Sequence, residues 1–135
     1  MRFHVWAYRT SNGWVGHRLV GVPTLLLGTT GRRSGTRRTA ALVYARDGSS
    51  YVVVASNDGS DQPPAWLLNL RDKPQVELQV ARVRMAAEWA VVERGDPGYE
   101  RLWRLVNEQN HNRYYRYQKL TQRPTPLVVM SPLWR

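Results

Sequence analysis

The 135-residue chain contains no cysteine, which excludes disulfide bonds, thiolate-bound metals and cysteine catalysis. Acidic residues are also few: ten Asp and Glu stand against twenty Lys and Arg, so the formal charge is +10. Such a charge predicts attraction to polyanions, which include nucleic acids, anionic membrane surfaces and cofactors with several phosphates or carboxylates. The charge alone does not choose among these partners.

Long apolar runs are missing as well. No apolar segment approaches the roughly 20 residues that cross a bilayer. The first 14 residues lack the continuous apolar core of a signal peptide, so we expect a cytoplasmic protein. The three histidines, His4, His17 and His111, do not have the spacing of a shared metal site, and we expect no metal.

The residues that are present predict a packed core, because 42% of the chain is apolar and it holds six tryptophans and seven tyrosines. The length is typical of one domain. We expect a short lead segment over residues 1–22 and a single domain over residues 23–135.

Apolar and alternating runs that end at turn residues predict six strands. These are Thr24–Gly28, Ala40–Ala45, Tyr51–Ser56, Val76–Val80, Val83–Val92 and Leu127–Met130. A short helix is predicted before Pro74, and one or two more follow Asp96. The short connections favour an antiparallel sheet in an α+β fold, and six strands can close on themselves to remove exposed edges.

The segment between the first two predicted strands, Gly31–Arg38, carries four arginines, two glycines, a serine and a threonine. Glycine lets backbone N–H groups converge on an anion, and arginine adds a planar charged fork that fits phosphate or carboxylate. We interpret the segment as a phosphate cradle, although it is neither a P-loop nor a G-x-G-x-x-G motif. A basic hairpin turn with solvated arginines is the alternative.

The order of several motifs resembles the deazaflavin-dependent nitroreductase and quinone reductase family, whose members use reduced coenzyme F420. The motifs are Gly31-Arg32-Arg33-Ser34-Gly35, Arg37-Arg38, Tyr51–Ser56 and Pro64–Leu70, and the resemblance extends from about Pro23 to Pro132. It implies a six-stranded antiparallel split β-barrel with short flanking helices that binds a deazaflavin. It also implies an oxidoreductase that transfers hydride from reduced F420 to a quinone, a nitroaromatic or a similar activated acceptor.

Carried over position by position, the resemblance assigns a set of cofactor-binding residues. They are Arg32, Arg33, Ser34, Arg38, Val54, Ala55, Ser56, Trp66 and Asn69. Arg33 stands where family members often have a lysine, and Ala41 stands where proline is common. An ordinary buried strand is the alternative for residues 54–56, and a core position is the alternative for Trp66.

The resemblance places acceptor-binding residues on a later helix. His111, Tyr114 and Tyr117 recur every third residue, which predicts one helical face. Tyr117 and Tyr114 are the candidate catalytic residues, and Tyr117 is the better match. Its hydroxyl could orient a quinone oxygen or donate a proton, whereas a stripe of tyrosines that only packs is the alternative. His111 aligns with a further family tyrosine.

Other functions remain open on the sequence alone. The same fold could hold FMN, or bind the deazaflavin without turnover. A nonenzymatic nucleic-acid-binding module would also suit the charge of +10. No RNP-type or helix-turn-helix motif supports that module, so we expect no specific nucleic-acid partner. The basic, tryptophan-bearing lead segment predicts peripheral contact with the inner face of the membrane. The sequence does not fix the oligomeric state.

Overall fold

The computed structural model describes residues 22–133, so nearly all of the predicted lead segment, and its predicted membrane contact, lie outside the described residues. The chain forms β1 (Thr24–Thr30), β2 (Arg37–Asp47), β3 (Ser50–Val54), a 3-10 turn (Asn57–Gly59), α1 (Ala65–Asp72), β4 (Val76–Val80), β5 (Val83–Val92), α2 (Tyr99–Gln109), α3 (Arg113–Gln118) and β6 (Leu127–Pro132). Among residues 22–133, no helix has the length and apolar content needed to span a bilayer.

The six strands close into an antiparallel barrel in the order β1-β2-β3-β6-β5-β4. Hairpins join β1 to β2, β2 to β3 and β4 to β5, while β6 closes the sheet between β3 and β5. Closure pairs every strand on both sides, so the sheet has no open edge. The predicted six-stranded antiparallel barrel with short helices is confirmed.

The core inside the barrel follows from the alternation of side chains along each strand. Its fully buried members from the strands are Leu25, Leu27, Val53, Leu78, Val128 and Met130. On β1 the intervening Leu26 faces the other way and packs against Ala41, its register partner on β2. Helix α1 contributes Trp66, Leu67 and Leu70 to the same core, which fixes this helix on the barrel.

A second apolar cluster lies on the outer face of the barrel, where α2 and α3 pack. Helix α2 buries Tyr99, Leu102 and Val106, and helix α3 buries Tyr114. Together they cover Val52, Val54 and Leu127 of the neighbouring strands β3 and β6, among others. Helix α3 therefore has a fixed position relative to the end of β3, which sets up the site described below.

Two predicted boundaries differ from the observed ones in ways that affect the site. Strand β2 begins at Arg37 rather than Ala40, so the last two arginines of the predicted cradle belong to a strand. His111 and Asn112 have φ of 60° and 58°, and α3 begins only at Arg113. His111 is therefore not on the helix of Tyr114 and Tyr117, and the predicted three-residue stripe is wrong at its first member.

Candidate cofactor and acceptor cleft

A cleft of about 680 Å³ lies between the β1–β2 loop, β2, the segment after β3, α1 and α3. Its volume is in the range of small-molecule and cofactor sites. Strand β2 supplies one wall from Arg38 to Val43, including Ala41, the position where proline was expected from the resemblance. The cleft gathers residues from five parts of the chain.

The β1–β2 loop closes on itself through backbone hydrogen bonds. The Gly31 N–H donates to the Thr36 carbonyl at 2.7 Å, and the Gly35 N–H donates to the Gly31 carbonyl at 2.9 Å. The Ser34 and Thr36 hydroxyls are 2.7 Å apart. Gly35 has φ of 71°, which disfavours a residue with a side chain. Within residues 22–133, the N–H groups of Arg33 and Ser34 have no hydrogen-bond partner, so they are free to bind an anion.

The four arginines of the loop region divide into two groups. Arg32, Arg33 and Arg38 line the cleft, together with Ser34. Arg37 does not line it: its guanidinium lies over Gly28 and pairs with Glu77 at 3.3 Å, Nη2 to Oε1. The alternation of side chains along β2 sends Arg37 and Arg38 to opposite faces. Three arginines of the loop region therefore line the cleft, and two backbone donors without a partner among residues 22–133 lie in the same loop.

Asn69 on α1 fixes the first of these arginines. Its Oδ1 accepts a hydrogen bond from the Arg32 backbone N–H at 3.2 Å and another from Arg32 Nη1 at 3.1 Å. Its Nδ2 donates to the Thr29 hydroxyl at 3.5 Å. Asn69 is only 5% exposed, although it borders the cleft. Its contacts within the protein make it first of all a positioning residue for Arg32.

The segment that ends β3 contributes less than the sequence predicted. Val54, Ser56 and Trp66 line the cleft, whereas Ala55 does not. The Ala55 side chain is fully buried in the barrel core, because its direction alternates with those of its neighbours. Its N–H donates to the Pro126 carbonyl at 3.0 Å. Trp66 is 9% exposed, so it belongs to the core and to the cleft wall at once.

Tyr114 and Tyr117 of α3 line another wall, with ring centroids 6.2 Å apart and an angle of 64° between the rings. Burial raises the pKa of Tyr114 above the ordinary value of a tyrosine, so its hydroxyl is a weaker acid than an exposed phenol. Neither hydroxyl has a hydrogen-bond partner in the described part of the chain. His111 is exposed and does not line the cleft; the structure does not bring it to the predicted acceptor site.

Sequence reasoning missed two charged residues of the cleft, Arg113 and Asp58. Arg113 precedes Tyr117 by four residues, a helical spacing that could have indicated a shared face. Asp58 has φ of 55° in a turn that sequence patterns do not reveal. It is the one carboxylate among the described lining residues, against four arginines. No cluster of metal-ligating residues occurs within residues 22–133.

These residues fit a flat redox cofactor with an anionic tail. The cleft lining combines four arginines, apolar side chains such as Val54 and Trp66, and the two tyrosines of α3. The adjoining β1–β2 loop carries two N–H groups that have no hydrogen-bond partner among residues 22–133. A closed antiparallel barrel with such a cleft fits a small cofactor-binding protein of the split-barrel class. The chain belongs to the F420H(2)-dependent quinone reductase family, whose family model matches residues 1–132.

Individual proteins agree with this assignment. An F420H(2)-dependent quinone reductase of Mycobacterium tuberculosis is 46% identical over 132 residues, which are 97% of this chain and 89% of that protein. A solved structure described as a domain-swapped dimer is similar with a TM-score of 0.74 and 25% identity, and the match covers 96% of each chain. An F420-H2 dependent reductase is similar with a TM-score of 0.68 and 29% identity, covering 83% of this chain and 99% of that one.

The match to this family model confirms the resemblance that the sequence motifs indicated. Its description gives reduced F420 as the electron donor and quinone reduction as the reaction, which confirms an F420-dependent reductase.

Proposed function

We propose that this F420-dependent reductase reduces a quinone in the described cleft, with the cofactor tail at the β1–β2 loop and the acceptor beside α3. The observation that carries the proposal is the placement of Arg32, Arg33 and Arg38 in the same 680 Å³ cleft as Tyr114 and Tyr117. A cationic end and a hydroxyl-bearing wall are what a polyanionic cofactor and a carbonyl acceptor require.

The tail is held by charge and by backbone donors. Arg32, already oriented by Asn69, presents a fixed guanidinium, while Arg33 is exposed and free to close on a bound phosphate or carboxylate. The N–H groups of Arg33 and Ser34 add two neutral donors. Each charge-assisted hydrogen bond contributes about 1.5–3 kcal/mol. Together they favour a multiply charged ligand over a neutral one.

The middle of the cleft takes the ring. Val54 and Trp66 offer apolar contacts, and the buried Ser56 adds a small polar group beside them. When bound, reduced F420 supplies the hydride by its own ring chemistry, so the protein needs no catalytic triad. The tasks that remain for the chain are to orient the acceptor, to exclude water and to deliver a proton.

Tyr117 and Tyr114 serve the acceptor. Their hydroxyls have no partner within residues 22–133, and Tyr117 is the more accessible of the two. A phenol that stays protonated donates a hydrogen bond to a quinone oxygen, or to a nitro oxygen in a nitroaromatic acceptor. Reduction of nitroaromatics by the same site is therefore part of the proposal.

The test is a parallel titration of the purified protein with F420, FMN and FAD, followed by turnover of a soluble quinone and a nitroaromatic. Tight binding of F420 alone, with F420-dependent reduction of the quinone, is the expected result. Equal or tighter binding of FMN would favour the flavin alternative. Binding of F420 without turnover of any quinone would favour a cofactor-sequestering protein.

The nucleic-acid alternative makes a separate claim, since it requires nonspecific DNA binding that weakens steeply with salt. The presence of Arg32, Arg33 and Arg38 in the lining of one cleft argues against it. Anisotropy measurements with duplex and single-stranded DNA at physiological salt are expected to show no binding.

A further inference from the structure

Arg113 is a charged residue of the cleft that does not belong to the β1–β2 loop, the segment proposed to hold the cofactor tail. It is the first residue of α3 and lines the cleft with Tyr114 and Tyr117. Its Nε is buried and makes no hydrogen bond within the described chain. No carboxylate of residues 22–133 lies within ion-pair distance of its guanidinium.

An N–H of a charged group that is buried without an acceptor costs free energy, unless a ligand supplies the acceptor. Asp58 is the carboxylate of the cleft lining that could pair with Arg113, and the charges of both residues affect the pKa of Tyr114. It nevertheless does not pair with Arg113. Because Arg113 lines the cleft and forms no ion pair among residues 22–133, its guanidinium is available to an anionic or carbonyl oxygen of a ligand there.

Arg113 lies on a different wall from the arginines of the cofactor-tail loop. Helix α3 packs against the 3-10 turn and α2, whereas Arg32 is bound to α1 through Asn69. Arg113 and Tyr117 are four residues apart on one helix, so their side chains project from the same face. Both residues line the cleft, and both act electrostatically on Tyr114, which lies between them in the sequence.

We propose that Arg113 binds the acceptor oxygen that becomes negatively charged during reduction, and so selects acceptors whose reduced form is an oxyanion. The inference rests on the proposed function of the cleft. A quinone that accepts a hydride from the reduced cofactor gains two electrons and one proton and becomes a quinol monoanion. The donor is oxidised by two electrons, and one further proton, delivered through Tyr117 or solvent, completes the quinol.

A guanidinium beside that oxygen interacts more strongly with the developing anion than with the neutral quinone. Interactions that strengthen toward the transition state act on kcat more than on KM. The proposal therefore predicts a kinetic pattern that a purely structural arginine would not produce, and a preference for ligands that are already anionic at this oxygen.

The experiment compares Arg113→Gln, Arg113→Lys and the matched control Arg116→Gln. Arg116 is on the same helix but is exposed, is absent from the cleft lining, and donates to the His111 carbonyl at 3.2 Å. The probes are F420, the neutral acceptor 2-methyl-1,4-naphthoquinone, and 2-hydroxy-1,4-naphthoquinone, which is ionised at neutral pH and resembles the anionic product. Binding of the last is measured with and without cofactor.

For Arg113→Gln we expect binding of the ionised hydroxynaphthoquinone to weaken by about tenfold or more. The kcat for the neutral quinone should fall by about 100-fold with little change in KM. Affinity for F420 should stay within about twofold, since the tail is held elsewhere. Arg113→Lys should recover part of the loss because the charge remains, and Arg116→Gln should match the wild type.

Two results would overturn the inference. One is unchanged anion binding and kcat in Arg113→Gln, and the other is a loss of F420 affinity as large as that of an Arg33 variant, which would assign Arg113 to the cofactor. If Arg113→Gln does not fold, Arg113→Lys still tests the proposal. Lysine keeps the charge but cannot reproduce the planar guanidinium, so binding of the ionised hydroxynaphthoquinone must weaken if the proposal holds. Failure of the wild type to bind F420 would instead refute the proposed function.

Discussion

A single amide oxygen, Oδ1 of Asn69, binds both the backbone N–H and the guanidinium of Arg32, at 3.2 Å and 3.1 Å. It thereby joins α1 to the loop that presents the cofactor-tail arginines. Asn69→Ala should lower both the melting temperature and the affinity for F420. A buried donor left without its acceptor costs about 1–3 kcal/mol, and the freed Arg32 side chain must be ordered again on binding.

A double-mutant cycle with Arg32→Ala separates the two contributions to binding. If Asn69 acts through Arg32, the loss of F420 affinity in the double variant should be smaller than the sum of the single losses, with a coupling of about 0.5–3 kcal/mol. Additive losses would mean that Asn69 contacts the cofactor directly and independently of Arg32.

Arg33 and Arg37 provide a matched pair in the loop region. Arg33 lines the cleft, whereas Arg37 pairs with Glu77 outside it. Arg33→Ala should weaken F420 binding by about tenfold or more, since one charge-assisted contact is lost. It should also reduce the salt dependence of binding. Arg37→Ala removes the same charge and should leave affinity within about twofold.

Titrations of both variants at two salt concentrations check this prediction. Equal losses in the two variants would show that net charge, rather than a contact in the cleft, attracts the cofactor.

The backbone of the loop can be tested at Gly35, where φ is 71° and an added Cβ would meet no atom within 4 Å. The cost of Gly35→Ala is therefore one of backbone conformation, about 1–2 kcal/mol. Because a relaxed loop would also displace Arg33 and Ser34, which line the cleft, F420 affinity should fall. Gly48 is the control, with φ of 60° and the same open surroundings in the β2–β3 turn.

Gly48→Ala should lose a similar amount of stability and no affinity. Thermal melts and F420 titrations of both variants are sufficient. If Gly48→Ala weakens F420 binding as much as Gly35→Ala does, the loss of affinity results from lower overall stability and not from a change in the β1–β2 loop.

The fold could be predicted further than the site, for reasons visible at particular residues. Val76–Val80 and Val83–Val92 have the same bounds in the prediction and the structure. Strict alternation indicates the first of these strands, and the second follows after only two residues as its hairpin partner. Arg32, Arg33, Ser34 and Arg38 could be assigned together since they are nearly contiguous, and any hairpin turn there brings them close.

The remainder of the site depends on geometry that has no local signal. His111 does not lie on the predicted helical face, because it and Asn112 have positive φ and α3 begins only after them. Ala55 does not line the cleft, because side chains alternate at the end of β3: Val54 and Ser56 line the cleft, and Ala55 is buried in the core. Arg113 joined the cleft only through the packing of α3, which a single sequence does not specify.

Arg123 connects these later elements to the cleft. Its guanidinium donates to the carbonyls of Ala55 at 3.2 Å and Ser56 at 2.9 Å, and also to that of Ser60. Arg123→Met keeps the length of the side chain but leaves three carbonyls without this donor. We expect a loss of stability of about 1–3 kcal/mol and higher amide exchange confined to residues 55–61. Uniform exchange across the barrel would contradict a local clamp.

The last prediction concerns the Tyr117 hydroxyl, which lines the cleft without a partner among residues 22–133. If it protonates the acceptor, Tyr117→Phe should lower turnover of a quinone by about 10²–10⁴-fold, and by much less if it only orients. Affinity for F420 should barely change. Tyr114→Phe is the companion variant, because Tyr114 lines the same cleft and its ring centroid is 6.2 Å from that of Tyr117.

A tyrosine that only packs predicts a different pattern. Phenylalanine fills nearly the same volume, so Tyr117→Phe would then keep full activity, and only Tyr117→Ala would damage the protein through the cavity it leaves. Steady-state rates, F420 binding and melting temperature for the three variants separate these cases. Full activity in Tyr117→Phe together with a large loss in Tyr114→Phe would move the proton donor to Tyr114, whose hydroxyl is equally without a partner in the described chain.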